Sequence, residues 1–585
     1  MKRIISLILV GVMLLSAIPA SASSSQHREE DLEVVYISTA QELMAITEAS
    51  NRYYELIGDI DLSGYDWTPI ELGDNVIFDG AGYSIQNMTI KHFRSFGALS
   101  ENYAGMFVWL GNSYVTGINL ENINIDLEVS EGMRLVYIGA IAGNGSSGSV
   151  NDCTISGEIT VSQVPAGSDV RICGLENANG CESRIDIQVS SEEGNAQVSG
   201  VKGSENCEAY GSISMNTGSG SAQVSALVDS GNCIYEGDVS AYTDTGFAQV
   251  SGIVSGDHCY MEGEVSALSH DGSAEANGVS GKDSFLKGNI HAKSNAVGEE
   301  NRNYAYAYGI YGYETYNTFD KSSRDCQLLG DVIAEGNADA SANASGIYLP
   351  AGWSEAWGTG TGNHMNGNVS ASSENSSAWA YGMNRGCFSS FHEGDINASG
   401  AYAYANGIDV RKEEWDTAGG TDNGHVGDIT AISSVGEFQA AGIRGGSNNY
   451  CEGDIKAEGH DGQAKGLNLT KECYYNGDMH LTTTGGELGD TLNQIKVFGI
   501  SASEAGSFNG NICINEQNAI YLTEVTGISE DSSLCNYTGN IVLEAVTVST
   551  RFGYYGSHAI WGVRDEASSF SGIIAFTGCG YTFSL

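Results

Sequence analysis

Between Asn151 and Gly288 the chain repeats one unit about every 26 residues, and this period constrains the fold more than any other feature. The unit runs from an apolar or Cys position, through Gly-acid-Val/Ile four residues later, to small-x-small-x-Gly-Ile some fifteen residues on. Copies of its first half are Cys153-Thr-Ile-Ser-Gly157, Cys207-Glu-Ala-Tyr-Gly211, Cys233-Ile-Tyr-Glu-Gly237 and Cys259-Tyr-Met-Glu-Gly263. Copies of the second half are Val198-Ser-Gly200-Val, Val224-Ser-Ala226-Leu, Val250-Ser-Gly252-Ile and Ala276-Asn-Gly278-Val. The repeat glycine continues at Gly288, Gly330, Gly367, Gly394, Gly427, Gly453, Gly477, Gly510, Gly539 and Gly572, with Arg184 counted into that slot once.

Each unit holds short β-branched or small-residue runs with period-two alternation, punctuated by Gly, Asn and Asp. Helical periodicity is absent, and 4 prolines in 585 residues leave backbone donors for unbroken ladders. The expected fold is all-β: a right-handed parallel β-helix, one coil per repeat. Before the array, Ser38 and Thr39 followed by Gln41 and Glu42 form a capping box that predicts a short helix covering the end of the first coil.

Alternation assigns faces. Ala, Val and Ile slots point inward, and the glycine before Ile marks a bend that shifts parity. The slot four residues before the repeat glycine holds Cys153, Cys207, Cys233, Cys259, Cys326, Cys473 and Cys535, but also Ser284 and Asn363. It reads as an inward stack in which Cys acts as a small hydrophobe, a buried thiol ladder. The acid after the glycine points outward as a solvated row through Asp238, Glu264, Asp331, Asp395, Asp428 and Asp454.

A net charge of -47 from 26 Lys+Arg and 73 Asp+Glu lacks the footprint that nucleic acid or an anionic membrane demands. No cofactor is called for; weak Ca²⁺ binding is the one functional alternative to plain solubility. Lys2, Arg3, the apolar run Ile4 to Leu15 and Ala20-Ser-Ala22 read as a signal peptide. No later run spans a bilayer, so a secreted or cell-surface protein is expected.

The stretch from about 34 to 160 carries Asp59-Ile-Asp-Leu-Ser-Gly64, Trp67-Thr-Pro-Ile70, Phe78-Asp-Gly-Ala-Gly-Tyr-Ser-Ile85 and Asn87-Met-Thr-Ile90. It resembles the opening of exported bacterial β-helix proteins with GLUG-type repeats. The resemblance implies a pectate-lyase-like β-helix on a secreted or surface protein, often an adhesin or peptidase accessory region, and no catalytic residues. The expected organisation is a signal peptide at 1–22, a flexible lead at 23–33, cap helix and GLUG-like coils at 34–160, and continuing β-helix at 161–585.

Function is expected where the repeat is broken. The gap from bend glycine to repeat glycine lengthens from about eleven residues to 21 at Gly309–Gly330, 21 at Gly346–Gly367 and 20 at Gly407–Gly427. Insertions at about 311–325, 348–363 and 409–424 therefore leave one edge of neighbouring coils. They carry Trp353, Trp357 and Trp415. In the same coils outward Gln and Ser give way to Tyr306, Tyr308, Trp379, Tyr381, Tyr402 and Tyr404, an aromatic strip suited to sugar rings or to burial beneath the loops. Three readings follow: a non-catalytic adhesin-like protein binding a glycan or host-surface ligand through this face, a polysaccharide lyase or glycoside hydrolase using the same face, and a passive envelope spacer. Asp409, Arg411, Lys412, Glu413, Glu414 and Asp416 are the one local mixture of acids and bases, expected as solvated surface. No catalytic or metal-ligating residue is assigned. Gly580 to Leu585 shows no evident cap, and two readings are open there: an open last coil available for end-to-end association, or a short covering segment.

Overall fold

The computed structural model describes residues 32–577, apart from 97–100, 146–147, 298–302, 313–322, 338, 350–359, 412–419, 484–493, 517–521, 546–556 and 565–566. The signal peptide and Gly580–Leu585 therefore lie outside the described residues.

The chain is a right-handed parallel β-helix. In a typical coil Cys259 leads into a short strand, Tyr260–Glu262, then Gly263 turns the corner to Val265–Ser269. A turn follows, and a long strand, Ser273–Lys282, completes the circuit. Each strand pairs in parallel with its equivalent one coil on, as in Val265↔Ile290 and Ala274↔Ala305. Among the described residues one strand pair is antiparallel, Arg94–Phe96 with Glu101–Ala104. The helix α1, Ala40–Met44, has Thr39 as N-cap with both capping-box bonds, and its Leu43 is buried against the first coils. It sits beside the terminal strand Glu33–Ile37, which pairs on one side with Arg52–Leu56.

Packing explains the residue choice at each slot. Inward residues of the short strands form one column: Tyr235, Met261, Leu286, Leu328, Met365, His392, His425, Cys451, Tyr475, Phe508 and Tyr537. Its last rings stack at centroid distances of 5.0 Å (Tyr475–Phe508) and 4.9 Å (Phe508–Tyr537). The bend glycine of the long strand makes room for this column. A Cβ at Gly442 would lie 2.5 Å from the Tyr475 ring, and one at Gly466 would lie 2.5 Å from Phe508. Strand pairing skips the bend glycine, and inward parity changes between Val250 and Ile253, as the sequence predicts.

The cysteine slot has a further reason. In several coils the occupant's side chain accepts a hydrogen bond from the backbone N–H of the preceding occupant: Cys153 N–H to Cys181 Sγ (3.3 Å), Cys259 to Ser284 Oγ (3.2 Å), Cys326 to Asn363 Oδ1 (3.0 Å), Asn449 to Cys473 Sγ (3.4 Å). Cys, Ser and Asn share an acceptor at the right reach. The slot is a polar ladder within the core, which corrects the reading of Cys as a mere hydrophobe. The 12 described cysteines are free thiols, and burial together with neighbouring thiols pushes several of them up, Cys259 to about 11. Asn363 is fully buried, and its Nδ2 also donates to Ser323 O at 2.9 Å. We expect Asn363→Ala to cost about 1–3 kcal/mol, by leaving the Cys326 N–H and Ser323 carbonyl unpaired, and Asn363→Ser clearly less. Equal shifts in thermal midpoint for both variants would break this account.

The register corrects one assignment. Ile185, not Arg184, stands opposite Gly157, and Arg184 pairs with Tyr210. The strand Glu182–Ser191 is unbroken through this corner with Ile185 in the glycine slot, and Cys181 joins the ladder. The outward acid row is also more than solvated surface. Its side-chain oxygens accept the backbone N–H of the next coil: Glu264 N–H to Asp238 (2.8 Å), Asp395 to Asn368 (2.9 Å), Asp428 to Asp395 (2.9 Å), Asp478 to Asp454 (2.9 Å). Asn fits where Asp fits because the oxygen, not the charge, does the pairing.

Candidate functional site

The long strands Tyr304–Tyr311, Ser341–Leu349, Ser377–Arg385, Tyr402–Asp409 and Glu437–Arg444 lie side by side and form one face. Their inward alanines, including Ala305, Ala307, Ala378, Ala380, Ala403 and Ala405, are fully buried. The alternate side chains therefore point out, as alternation requires.

Register sorts them into columns. One reads Glu275, Tyr306, Asn343, Trp379, Tyr404, Gln439 along successive coils. The expected continuous strip is thus split by Asn343 into two groups. In the first, Tyr304 stacks on Tyr306 at 4.1 Å and Tyr308 on Tyr348 at 4.7 Å. In the second, Trp379 and Tyr404 lie 5.7 Å apart with planes 13° from parallel. These rings are half-buried, while Tyr402 is 44% exposed. Burial raises the Tyr308 and Tyr381 phenols well above their ordinary range, so both stay protonated donors. Trp353, Trp357 and Trp415 lie outside the described residues. Where the insertions begin and return, Ser323 Oγ donates to Tyr311 O at 2.6 Å, closing the neck of the first.

Beside the second group lies a charged cluster. Asp409 is 4% exposed, and Arg411 grips it with two bonds of 2.7 and 3.0 Å. Arg444 approaches the same carboxylate at 3.5 Å and donates to Gln439 Oε1 at 3.0 Å. This corrects the expectation of a solvated charge run for Asp409: strand pairing sets it beside Arg444, and burial follows. Both carboxylate oxygens are engaged by guanidinium groups, so Asp409 is a held counter-ion rather than a free base. Glu413, Glu414, Lys412 and Asp416 lie outside the described residues. Tyr304, Tyr348, Asn343, Arg385 and Arg444 were not singled out from sequence. Tyr304 and Tyr348 extend an alternation already noticed and could have been found that way. Arg444 shows no local signal, because its partner is 35 residues away.

Among the described residues one group has three metal-type donors in mutual reach, Asp257, His258 and Asp283, all exposed. The Lys282 ammonium lies 3.6 Å from Asp283 and 4.0 Å from Asp257, so a cation is already built in. No helix among the described residues is long and apolar enough to cross a membrane.

No family model matches the chain, and no curated protein matches it. The resemblance drawn for residues 34–160 thus extends to the parallel β-helix and no further. Three solved structures are similar. A candidate immunoglobulin A1 protease from Bacteroides ovatus is 18% identical, covering 39% of this chain and 74% of that one, with a TM-score of 0.25. Two mutant forms of the tailspike protein of E. coli bacteriophage HK620, in complex with a pentasaccharide and a hexasaccharide, are each 11% identical. Each covers 86% of this chain, with 72% and 71% of theirs and TM-scores of 0.27 and 0.25. Likenesses at this level leave the reading of the site to its own geometry.

Proposed function

We propose that the long-strand face from Tyr304 to Arg444 binds a glycan without transforming it, on an exported, adhesin-like β-helix. The observation that carries this is the Trp379–Tyr404 pair: near-parallel, half-exposed rings on adjacent coils, bordered by amides and charges. Parallel rings one rung apart suit the apolar C–H faces of successive sugars, and Asn343 and Gln439 flank them in the same column to meet hydroxyls. Asp409, gripped on both oxygens by guanidinium groups, is not free to serve as a glycosidase acid or base. A passive spacer would leave this ring cluster without a role.

Binding of a polysaccharide panel, measured by calorimetry, tests the proposal. Trp379→Ala is expected to weaken binding about tenfold, roughly 1.4 kcal/mol. Tyr474→Ala is the control, since Tyr474 stacks on Tyr450 at 5.7 Å on a different face. Equal effects of the two variants would sink this site.

A further inference from the structure

Five successive coils place a cysteine in the polar slot: Cys153, Cys181, Cys207, Cys233 and Cys259. The residue after each is paired with its counterpart one coil on, as Thr154↔Glu182, Glu182↔Glu208, Glu208↔Ile234 and Ile234↔Tyr260. Bridges two residues earlier hold the other side: Asn179↔Glu205, Glu205↔Gly231 and Gly231↔Asp257. The five cysteines therefore stand directly over one another, all buried. Paired strands lie about 4.8 Å apart. That falls inside the roughly 4.4–6.8 Å between Cα atoms that a disulfide spans. Side-chain contacts join Cys153 to Cys181, Cys181 to Cys207 and Cys207 to Cys233, and Cys259 sits in the field of Cys233.

Among the described residues this stack is confined to those coils. Further along the slot, Cys326 stands between Ser284 and Asn363, and Cys473 and Cys535 lie on either side of Gly506. Off the slot, register sets Cys173, Cys387, Cys451 and Cys513 opposite other residue types. Oxidation of the stack also strands no acceptor. The Cys207, Cys233 and Cys259 thiols donate to the carbonyls of Glu205, Ser204 and Ser230. Each of those carbonyls also accepts a backbone N–H, from Gly180 at 3.1 Å, Gly231 at 2.8 Å and Asp257 at 2.9 Å, so it stays paired when the S–H is lost. The bond from Cys153 N–H to Cys181 needs only the sulfur.

We infer that this column is a disulfide seam: as the chain folds in an oxidising compartment, cysteines on adjacent coils join in two disulfides and the fifth is left as a thiol. Each bond forms in two exchanges. A cysteine thiolate attacks a small-molecule disulfide such as oxidised glutathione, giving a mixed disulfide and releasing one thiol. The neighbouring cysteine, also as thiolate, attacks the protein sulfur of that mixed disulfide and releases the second. Two cysteines are thus oxidised, one small disulfide is reduced to two thiols, and the two cysteine protons end on them. Closure of the coils ends the reaction. The Cys181 thiol, with burial, pushes Cys207 up to about 12, so little thiolate remains there. Cys153 is lowered by the Cys181 thiol, but at 1% exposure it is shielded from an oxidant. The seam takes its compartment from the exported reading above. Its role is mechanical: repeats in a solenoid touch only their neighbours, and bonds between coils stop them unzipping one by one.

The test folds the full chain and its variants with oxidised or with reduced glutathione, alkylates them under denaturing conditions and maps the peptides by mass. The readout is the number of thiols lost on oxidation, which pairing between neighbours fixes by parity. The native chain is expected to lose four, two per disulfide, all from the column. Cys207→Ser leaves two separate pairs and still loses four, now as the single isomer Cys153 with Cys181 and Cys233 with Cys259. Cys181→Ser and Cys233→Ser each isolate an end cysteine and lose only two. Serine already fills this slot at Ser284, so these variants keep the fold. Cys326→Ser, with no cysteine neighbour, controls for the substitution itself and still loses four. Equal losses from Cys181→Ser and Cys207→Ser, or bonds mapped outside the column, would overturn the seam. So would a chain that folds in oxidised glutathione and keeps every thiol. Because the oxidant is supplied, such a failure counts against the column and leaves the exported reading untouched.

Discussion

Gly263→Ala is expected to destabilise its coil by about 3–5 kcal/mol, more than most core truncations. Gly263 has φ +155 and faces the previous coil so closely that a Cβ would lie 2.0 Å from the Gly237 carbonyl oxygen. The obstacle is backbone, so no rotamer change relieves it. Moving the coil away is opposed from both sides. Gly263 N–H donates to Lys287 O at 3.0 Å, Val265 N–H to Asn289 O at 3.0 Å, and Glu264 N–H to Asp238 at 2.8 Å. The added methyl must therefore break ladder bonds or force an unfavourable dihedral. Gly58→Ala is the contrast, because a Cβ there meets nothing within 4 Å, and its cost is expected below about 1 kcal/mol. Unfolding midpoints in denaturant, with proteolysis mapped around residue 263, compare the two. Similar losses for both would mean that the corner yields more than its hydrogen bonds allow.

The same corner shows how far the sequence carries. Gly263 and its copies were legible because only one residue type tolerates that approach, and the inward alanines because alternation is rigid in a stacked coil. What a slot does beyond facing in or out was not legible. Cys473, Ser284 and Asn363 share a position because each offers an acceptor to the coil before, and that bond crosses a whole repeat. Ile185 deceived the count because its strand is unbroken through the corner. The binding face follows the same rule. Tyr306, Trp379 and Tyr404 were visible as departures from Gln, but Asn343 between them was not. The Asp409–Arg444 contact depends on the register set after an insertion, which residue spacing alone leaves open. Local chemistry was readable, and contacts between coils were not.

That limit is sharpest for two histidines 33 residues apart. His392 and His425 are fully buried on adjacent coils, rings stacked at 5.0 Å, with Nδ1 atoms 2.9 Å apart. Each Nε2 lies against a backbone carbonyl, that of Gly367 at 3.1 Å and that of Gly427 at 3.2 Å. Three such contacts need three protons, and two neutral imidazoles carry two. One contact is therefore lone pair against lone pair unless the pair holds an extra proton. Burial opposes that proton: it pushes His392 down to about 4, and burial followed by His392 also lowers His425 well below its usual value. Both folded values lie below the unfolded one, so this contribution is complete above pH ~6.5 and is lost as pH falls. For His392 alone the loss between pH 7 and 5 is about 2 kcal/mol, and His425 acts in the same direction. Met365 and Leu286 occupy equivalent places in the column, so His392→Met/His425→Leu fills the space with apolar atoms and removes the mismatched contact. The double variant is expected to match or exceed the native chain at pH 7 and to be less sensitive to acid by at least the about 2 kcal/mol of His392, read as the difference between the two pH profiles of the unfolding midpoint. The carboxylates titrate in both proteins and cancel in that difference. A native chain that gains stability on the variant as pH falls would show the pair holding the third proton, and would overturn the neutral assignment.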